Sequence, residues 1–501
     1  MIIKNNDYKF EYSRTLKKDK IDIYIFVICD HIKENIEWIK QNLDIKEIPK
    51  KILNDHENER ILYTNENEIM IYILPKNEKC DHKNIYKIYG KIGKKISQKN
   101  NKNIFIQLIG TNIMIKNEII SYILGLYEFN HFKTNQKSKN LKTYFWYSNK
   151  TNKTNKNNKS NKNINNIKNN KNDILKFIEI GTIQNELRSI INTPSNILTS
   201  TNYSIYIKNE IKKCKNINIK IYNEKELKKL GCNLILGVNQ GSKNEAKMIV
   251  MNYKNIDTTK KDKPILLIGK GVMFDSGGYN LKTGDFSDMK YDMTGTAIIY
   301  GVLLLLSKFN IKGHFIGILP LVENMIGSNA IKPGDILTAY NGSTIEITNT
   351  DGEGRLILAD AISYSCKYKP KLIIDIATLT GQCGAIFGNN TSVIMGNNNK
   401  YIQELIKYGM NNNEKIWELP MWEEYMEYTK SNIADYKNIS YDINASTIMA
   451  GSFLYNFVPK NTDWIHIDIG GTSDISENTS TRYSGASGEI MRTLLDFLMN
   501  Y

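Results

Sequence analysis

From Asp173 onward, strand-like and helix-like stretches alternate with a regularity that few fold classes accommodate. Strand patterns at 217–222, 247–252, 264–268, 311–319 and 371–377 take turns with helical patterns at 204–212, 294–308, 354–367 and 402–411. Such alternation implies a central sheet flanked by helices, one large α/β unit over 173–501. It opens on an amphipathic run, 174–191, stopped at Pro194. In open α/β sheets, sites form where loops leave the carboxyl ends of strands.

Residues 1 to about 132 carry a second, smaller α/β pattern, with strands expected at 22–29, 68–74 and 104–108 and helices at 31–42, 85–98 and 115–127. No catalytic constellation lies in it. Between the two, 133–172 collapses to Asn, Lys, Ser and Thr and holds 11 lysines without an acidic residue. Too little apolar surface is available there to offset the entropy of ordering, so a disordered insert is expected within an N-terminal domain of 1–172. TYFWYS at 143–148 interrupts it and reads as a strand between two insertions. That insert accounts for most of the net charge of +15; without its lysines the rest of the chain carries only +4. With six arginines against 61 lysines, the residue that best forks onto phosphate is scarce, and nucleic acid is not an expected partner. No apolar run approaches the ~18–20 residues of a membrane span, so no membrane association is expected. The six cysteines lie far apart with no CxxC, which suits a reducing, cytoplasmic setting.

The chemistry concentrates in two clusters. LLIGKGVMFDSGGYNLKTGDFSDMKYDMTGTA (266–297) runs from an apolar strand into a glycine-rich exit carrying Lys270, Asp275, Lys282 and Asp292. EITNTDGEGRLILADAISY (346–364) sets Asp351 and Glu353 one glycine apart, so in extended backbone both carboxylates project to one side. A helix start just behind them favours negative charge, and Arg355 follows. Four carboxylates on one loop face repel unless cations neutralise them, and divalent metal ions do so economically. Oxygen donors suit Mg²⁺, Mn²⁺ and also Zn²⁺. Neither cluster contains a histidine, so a nitrogen ligand would be a deprotonated lysine, Lys270 or Lys282. A two-metal phosphoesterase is the rival that the same oxygen ligands would serve. His466, in an apolar stretch, reads as a core histidine, and Cys383 as a small buried hydrophobe.

Both stretches closely resemble the leucyl aminopeptidase family of dinuclear metallopeptidases. NTDGEGR (349–355) is similar to its NTDAEGR signature with Gly352 in place of Ala; GKGVMFDSGG (269–278), LVENMIGSNAIKPGDILTAYNGSTIEITNTDGEGRLILADAISY (321–364), DIATLTG (375–381) and WIHIDIGG (464–471) match in order. The resemblance spans roughly 180–501. It implies Lys270, Asp275, Asp292, Asp351 and Glu353 as ligands of two divalent ions per subunit, Zn²⁺ or Mn²⁺ with Mg²⁺ or Co²⁺ also compatible. DMKYDM favours Asp292 over Asp285 or Asp288 as the ligand. The resemblance further implies that Lys282 stabilises the polarised carbonyl oxygen while contacting substrate, and that Arg355 holds a bicarbonate-like anion. Met289, Asp292, Thr378, Leu379 and Gly381 would line the substrate site. The implied activity is two-metal activation of a water that releases N-terminal leucine and other apolar residues from short peptides, by a homohexamer in the cytoplasm. Two departures bear on the first side-chain pocket: the loop 283–291 is short for the family, placing the wall near Met289 in question, and Gly470 replaces the usual Ala, which would enlarge the pocket.

Overall fold

The computed structural model describes residues 8–13, 20–28, 32–43, 45, 59–63, 67–73, 81–110, 112–135, 139–147, 170–256 and 263–501. They form two compact units, one of residues 8–185 with 477–483, the other of 186–476 with 484–501.

The first unit is built on a six-stranded sheet of β1 (Tyr8–Ser13), β2 (Ile23–Ile28), β3 (Glu59–Tyr63), β4 (Glu68–Ile73), β5 (Asn103–Leu108) and β6 (Leu141–Tyr147), in the order β1-β6-β5-β2-β4-β3. Every pairing is parallel except β3 with β4. Side chains of β2 divide by period two between separate cores: Ile23, Ile25 and Val27 on one face, Tyr24, Phe26 and Ile28 on the other. Helices α1 (Ile32–Leu43), α2 (His82–Ile96) and α3 (Asn112–Leu126) complete the α/β pattern. The sequence pattern misses β1 and β3.

TYFWYS, read from the sequence as a strand between two insertions, contributes to a strand, Leu141–Tyr147. LKTYFWY is a strand in the sheet interior, between β1 and β5, because Leu141, Phe145 and Trp146 bury there. The rest of the Asn/Lys-rich text, 136–138 and 148–169, lies outside the described residues. Helix α4 (Asn170–Asn192) follows as one unbroken element. Its Ile174 and Ile178 join the first unit's core, and the change of unit comes inside it, at Asn185/Glu186, rather than at 172/173. Beyond that point Leu187 packs on Gly301, whose missing Cβ leaves the room, and Arg188 Nε donates to the Ala486 carbonyl at 2.8 Å.

The second unit holds β7 (Ile217–Tyr222), β8 (Lys247–Asn255), β9 (Ile265–Gly269), β10 (Val272–Asp275), β11 (Gly313–Asn324), β12 (Ile336–Thr338), β13 (Thr344–Glu346), β14 (Leu372–Ala377), β15 (Ser392–Gly396), β16 (Ile416–Glu418), β17 (Tyr436–Lys437) and β18 (Asp463–Asp468). The main sheet runs β16-β15-β18-β14-β9-β11-β8-β7, with β10 beside β11. Its centre, β18-β14-β9-β11, is parallel, and its strands are buried on both faces, hence the apolar text of β9 and β14, interrupted in β14 by the buried Asp375. A short ribbon, β12-β13-β17, lies apart.

Helix α5 (Thr294–Lys308) carries the chain from β10 to β11 and is buried from Thr294 to Leu306, which explains an apolar surface all round. With the 3-10 turn before it, Ser287–Lys308 is long and apolar enough to cross a membrane, contrary to the sequence reading, but 89 % of its most apolar window is buried inside the protein. Helix α6 (Glu353–Ser365) precedes β14. The carboxyl ends of β9, β10, β11, β14 and β18 thus lead into Lys270, Asp275, Asn324, Thr378 and Gly470.

Candidate metal centre

All eleven residues singled out from the sequence line one cavity of about 320 Å³: Lys270, Asp275, Lys282, Met289, Asp292, Asp351, Glu353, Arg355, Thr378, Leu379 and Gly381. Local chain geometry brings them there. Gly277 and Gly278 adopt φ of 86° and 62°, the left-handed region that glycine enters without penalty. This turn folds the segment after Asp275 back so that Lys282 N reaches the Ser276 carbonyl at 3.0 Å. Its Gly277 carbonyl accepts from Thr350 Oγ1 at 2.6 Å, and Asn280 Oδ1 accepts from Thr350 N at 2.8 Å. The first cluster is thereby fastened to the second.

Lys270 is 3 % exposed. Its Nζ lies 2.7 Å from Asp292 Oδ1, 2.8 Å from Glu353 Oε1 and 2.8 Å from the Thr378 carbonyl. Gly354 makes this approach feasible, since a Cβ there would stand 2.5 Å from Lys270 Cε. Lys282 Nζ lies 2.8 Å from Asp275 Oδ2 and 2.5 Å from Asp351 Oδ1. Two ammonium groups therefore face four carboxylates, leaving the cluster negative. Oxygens of Asp275, Asp351 and Glu353 fall within 4.8 Å of one another, a spacing suited to a metal ion. Asp292 Oδ2 and Glu353 Oε2 are buried with no hydrogen-bond partner. A buried carboxylate oxygen without a partner costs free energy unless a cation meets it, so the donor set fits divalent ions.

Electrostatics agree. Burial pushes Asp351 up to about 6, with the Asp275 and Glu353 charges adding to the effect against Lys282. Asp292 is held well above the usual carboxylate range, mainly by burial and against Lys270. Burial alone would lower both lysines, but the carboxylates around them hold them above the usual range instead. Lys270 thus sits as a cation among acids, and only the added positive charge of dications could favour its neutral, metal-binding form. Arg355 is buried and lowered to about 10 by burial; Nη1 donates to the Asn438 carbonyl at 2.7 Å, while Nε is buried without a partner.

Asp285 and Asp288 are exposed, whereas Asp292 is buried at Lys270. Met289 lines the cavity despite the short loop. Gly470 is a correction. A Cβ there would lie 2.3 Å from the Thr380 carbonyl, so backbone occupies the space an alanine methyl would take, and the pocket is not enlarged. His466 is wholly buried and its Nδ1 pairs with Asp375 Oδ1 at 2.5 Å. Burial pushes the Cys383 thiol up to about 12, and its sulfur donates to the Thr380 carbonyl.

Several supporting groups escape sequence reasoning. Asn324 Nδ2 donates to Asp275 Oδ1 at 2.8 Å and to the Thr350 carbonyl at 3.0 Å. Asn438 Oδ1 accepts from Thr348 N at 2.9 Å, and its Nδ2 donates to the Asn349 carbonyl at 2.7 Å. Asp468 accepts from Leu379 N, Thr380 Oγ1 and Gly470 N, fixing the backbone that edges the cavity. Asn324 lies inside the matched 321–364 stretch and Asp468 inside WIHIDIGG, which is the only signal either carries, and no local spacing marks Asn438.

Comparison with known proteins settles the relationship. The model of the cytosol aminopeptidase family catalytic domain, peptidase M17, matches residues 185–495. This chain belongs to that family. A probable cytosol aminopeptidase of Hamiltonella defensa is 33 % identical over 93 % of this chain and 90 % of its own length. One from Rickettsia rickettsii is 40 % identical over 63 % of each chain, and one from a Geobacter strain 39 % over 62 % of each, so these two alignments span less than two thirds of the relatives. Among solved structures, a tomato leucine aminopeptidase mutant superposes with a TM-score of 0.83 at 24 % identity, covering 98 % of this chain and 96 % of that one. The bottromycin maturation enzyme BotP in complex with Mn gives 0.80 at 21 % identity, over 96 % and 99 %. At those identities they speak for the fold, an N-terminal domain with a C-terminal catalytic domain. Membership makes this chain a metal-dependent aminopeptidase.

Proposed function

We propose that this family member removes the first residue, preferring leucine and other large apolar residues, from short peptides with a free amino end. The observation that carries the reading is the convergence of four carboxylates, two lysines and a buried arginine on one cavity at the carboxyl ends of the sheet. Asp275, Asp292, Asp351, Glu353 and Lys270 would hold two divalent ions, Zn²⁺ or Mn²⁺ foremost, with Mg²⁺ and Co²⁺ chemically compatible. Bound there, such a pair supplies Lewis acidity that activates a water and polarises a carbonyl.

The chain's own groups supply the rest. Lys282 Nζ, part exposed to the cavity, donates to the carbonyl oxygen of the scissile bond as negative charge develops on it. Arg355, with an unpaired Nε, anchors a bicarbonate-like anion beside the attacking water. Backbone groups at Thr378, Leu379 and Gly381 orient the peptide, and Met289 walls the first side-chain pocket. A free α-amine adds a nitrogen donor to an oxygen-rich set, which confines cleavage to the first peptide bond. The family resemblance supports a homohexamer working in the cytoplasm.

The test is turnover of leucyl-aminocoumarin by purified protein loaded with Mn²⁺, Zn²⁺ or Co²⁺, then after chelation. Chelation and either Asp351→Asn or Glu353→Gln should lower kcat/KM by at least ~100-fold, with circular dichroism unchanged. Unchanged turnover in both variants, or no more than one ion per subunit in active protein, overturns the assignment.

A further inference from the structure

Away from the metal cluster, the same cavity is lined by Asp288 and Asp474, with Met289, Tyr291 and Ser473 beside them. Their situation differs from that of the other acids. Among the described residues neither Asp288 nor Asp474 has an ion pair; the Asp474 carboxylate accepts a hydrogen bond from Ser473 Oγ at 3.1 Å. The one lysine in this loop, Lys290, lies over the Tyr291 ring instead. Burial first, and then the Asp288 charge, hold Asp474 above the usual carboxylate range.

An apolar first side chain leaves both carboxylates unpaired, and the half-buried Asp474 would lose water without gaining a partner. A long cationic side chain answers both demands: its methylene stem lies on Met289 and Tyr291, and its charged head reaches the acids. The cluster's own carboxylates cannot be what it seeks, since Lys270 and Lys282 already engage them. We infer that Asp288 and Asp474 are specificity-determining residues that select peptides whose first residue is lysine or arginine, alongside apolar ones. This rests on the aminopeptidase reading, with Met289 as the wall of the first side-chain pocket.

Lysine and norleucine share a stem and differ in the charge, so their aminocoumarins isolate the effect. Metal-loaded wild-type protein should cleave the lysyl substrate at least ~10-fold better in kcat/KM than the norleucyl one, mostly through KM. Asp474→Asn, and more so the Asp288→Asn Asp474→Asn double variant, should bring that ratio close to one. Lysinol, which cannot be hydrolysed, should raise the wild-type melting temperature more than norleucinol does, and the double variant should erase the difference. Norleucyl turnover without a lysyl advantage, or an advantage that survives the double variant, overturns this inference and leaves the aminopeptidase reading standing. No turnover of any aminoacyl substrate overturns both.

Discussion

Lys270 and Asp351 show how far single residues can be read from a sequence. Both were legible because their chemistry sits in dense local text: a glycine-rich strand exit for one, two acids spaced by a glycine for the other. Their ionisation states were not, because these depend on which carboxylates the fold packs around them. Asp351, pushed up to about 6 by burial, gives a signed expectation. In the metal-free protein its folded pKa lies above its unfolded value, so its contribution to stability is full below about 4 and lost as pH rises through about 6. Divalent ions need the ionised form and reverse that loss. The gap in melting temperature between metal-loaded and chelated protein should therefore widen as pH rises from 5 to 7, read by differential scanning fluorimetry. A gap that narrows over that range contradicts the role given to Asp351.

At the scale of elements, strand and helix text located the sheet, the crossover helix α5 and helix α6 within a few residues, since their apolar periods are strong. The short ribbon β12-β13-β17 was only partly legible. Its strands are two or three residues long and leave little periodic signal, yet β17 leads straight into Asn438. That buried amide ties the loop 348–352 to the ribbon and its carbonyl holds Arg355. It also occupies the space beside Gly352: a Cβ there would meet Asn438 Nδ2 at 2.8 Å and Ile439 at 3.0 Å, so in this chain the glycine and the asparagine belong together. Asn438→Ala removes several hydrogen bonds from a loop that bears Asp351 and leads into Glu353, and leaves buried groups unsatisfied, a cost of about 1–3 kcal/mol. We expect a lower melting temperature and at least a ~10-fold fall in kcat with a smaller change in KM. Wild-type kinetics with only stability reduced would make Asn438 a purely structural residue.

For the whole molecule, the two α/β patterns and their order were readable from periodicity, while the place where one unit gives way to the other was not. Composition changes at Asp173, but helix α4 runs through that point and onward. Likewise, TYFWYS could be seen as strand-like, but its position inside the first sheet depends on partners more than thirty residues distant in the chain. The basic charge concentrates in the Asn/Lys-rich text, and none of the site's groups comes from it. Deleting 148–169 should leave leucyl-aminocoumarin turnover within ~2-fold of wild type and abolish whatever retention the protein shows on heparin or in a DNA gel shift. A large loss of turnover would give that segment a part in catalysis.

Helix α4 also decides how this protein can be dissected. Its early turns contribute Ile174 and Ile178 to one core, and its late turns contribute Leu187, seated on Gly301, and Arg188, bonded to the Ala486 carbonyl. A fragment begun after Asn192 would lose the leucine's filling and the arginine's hydrogen bond together, while one begun at Asp173 would carry stray apolar turns into water. The seam therefore falls in mid-helix, near Glu186, where a cut would leave Leu187 and Arg188 with their own core and Ile174 and Ile178 with theirs.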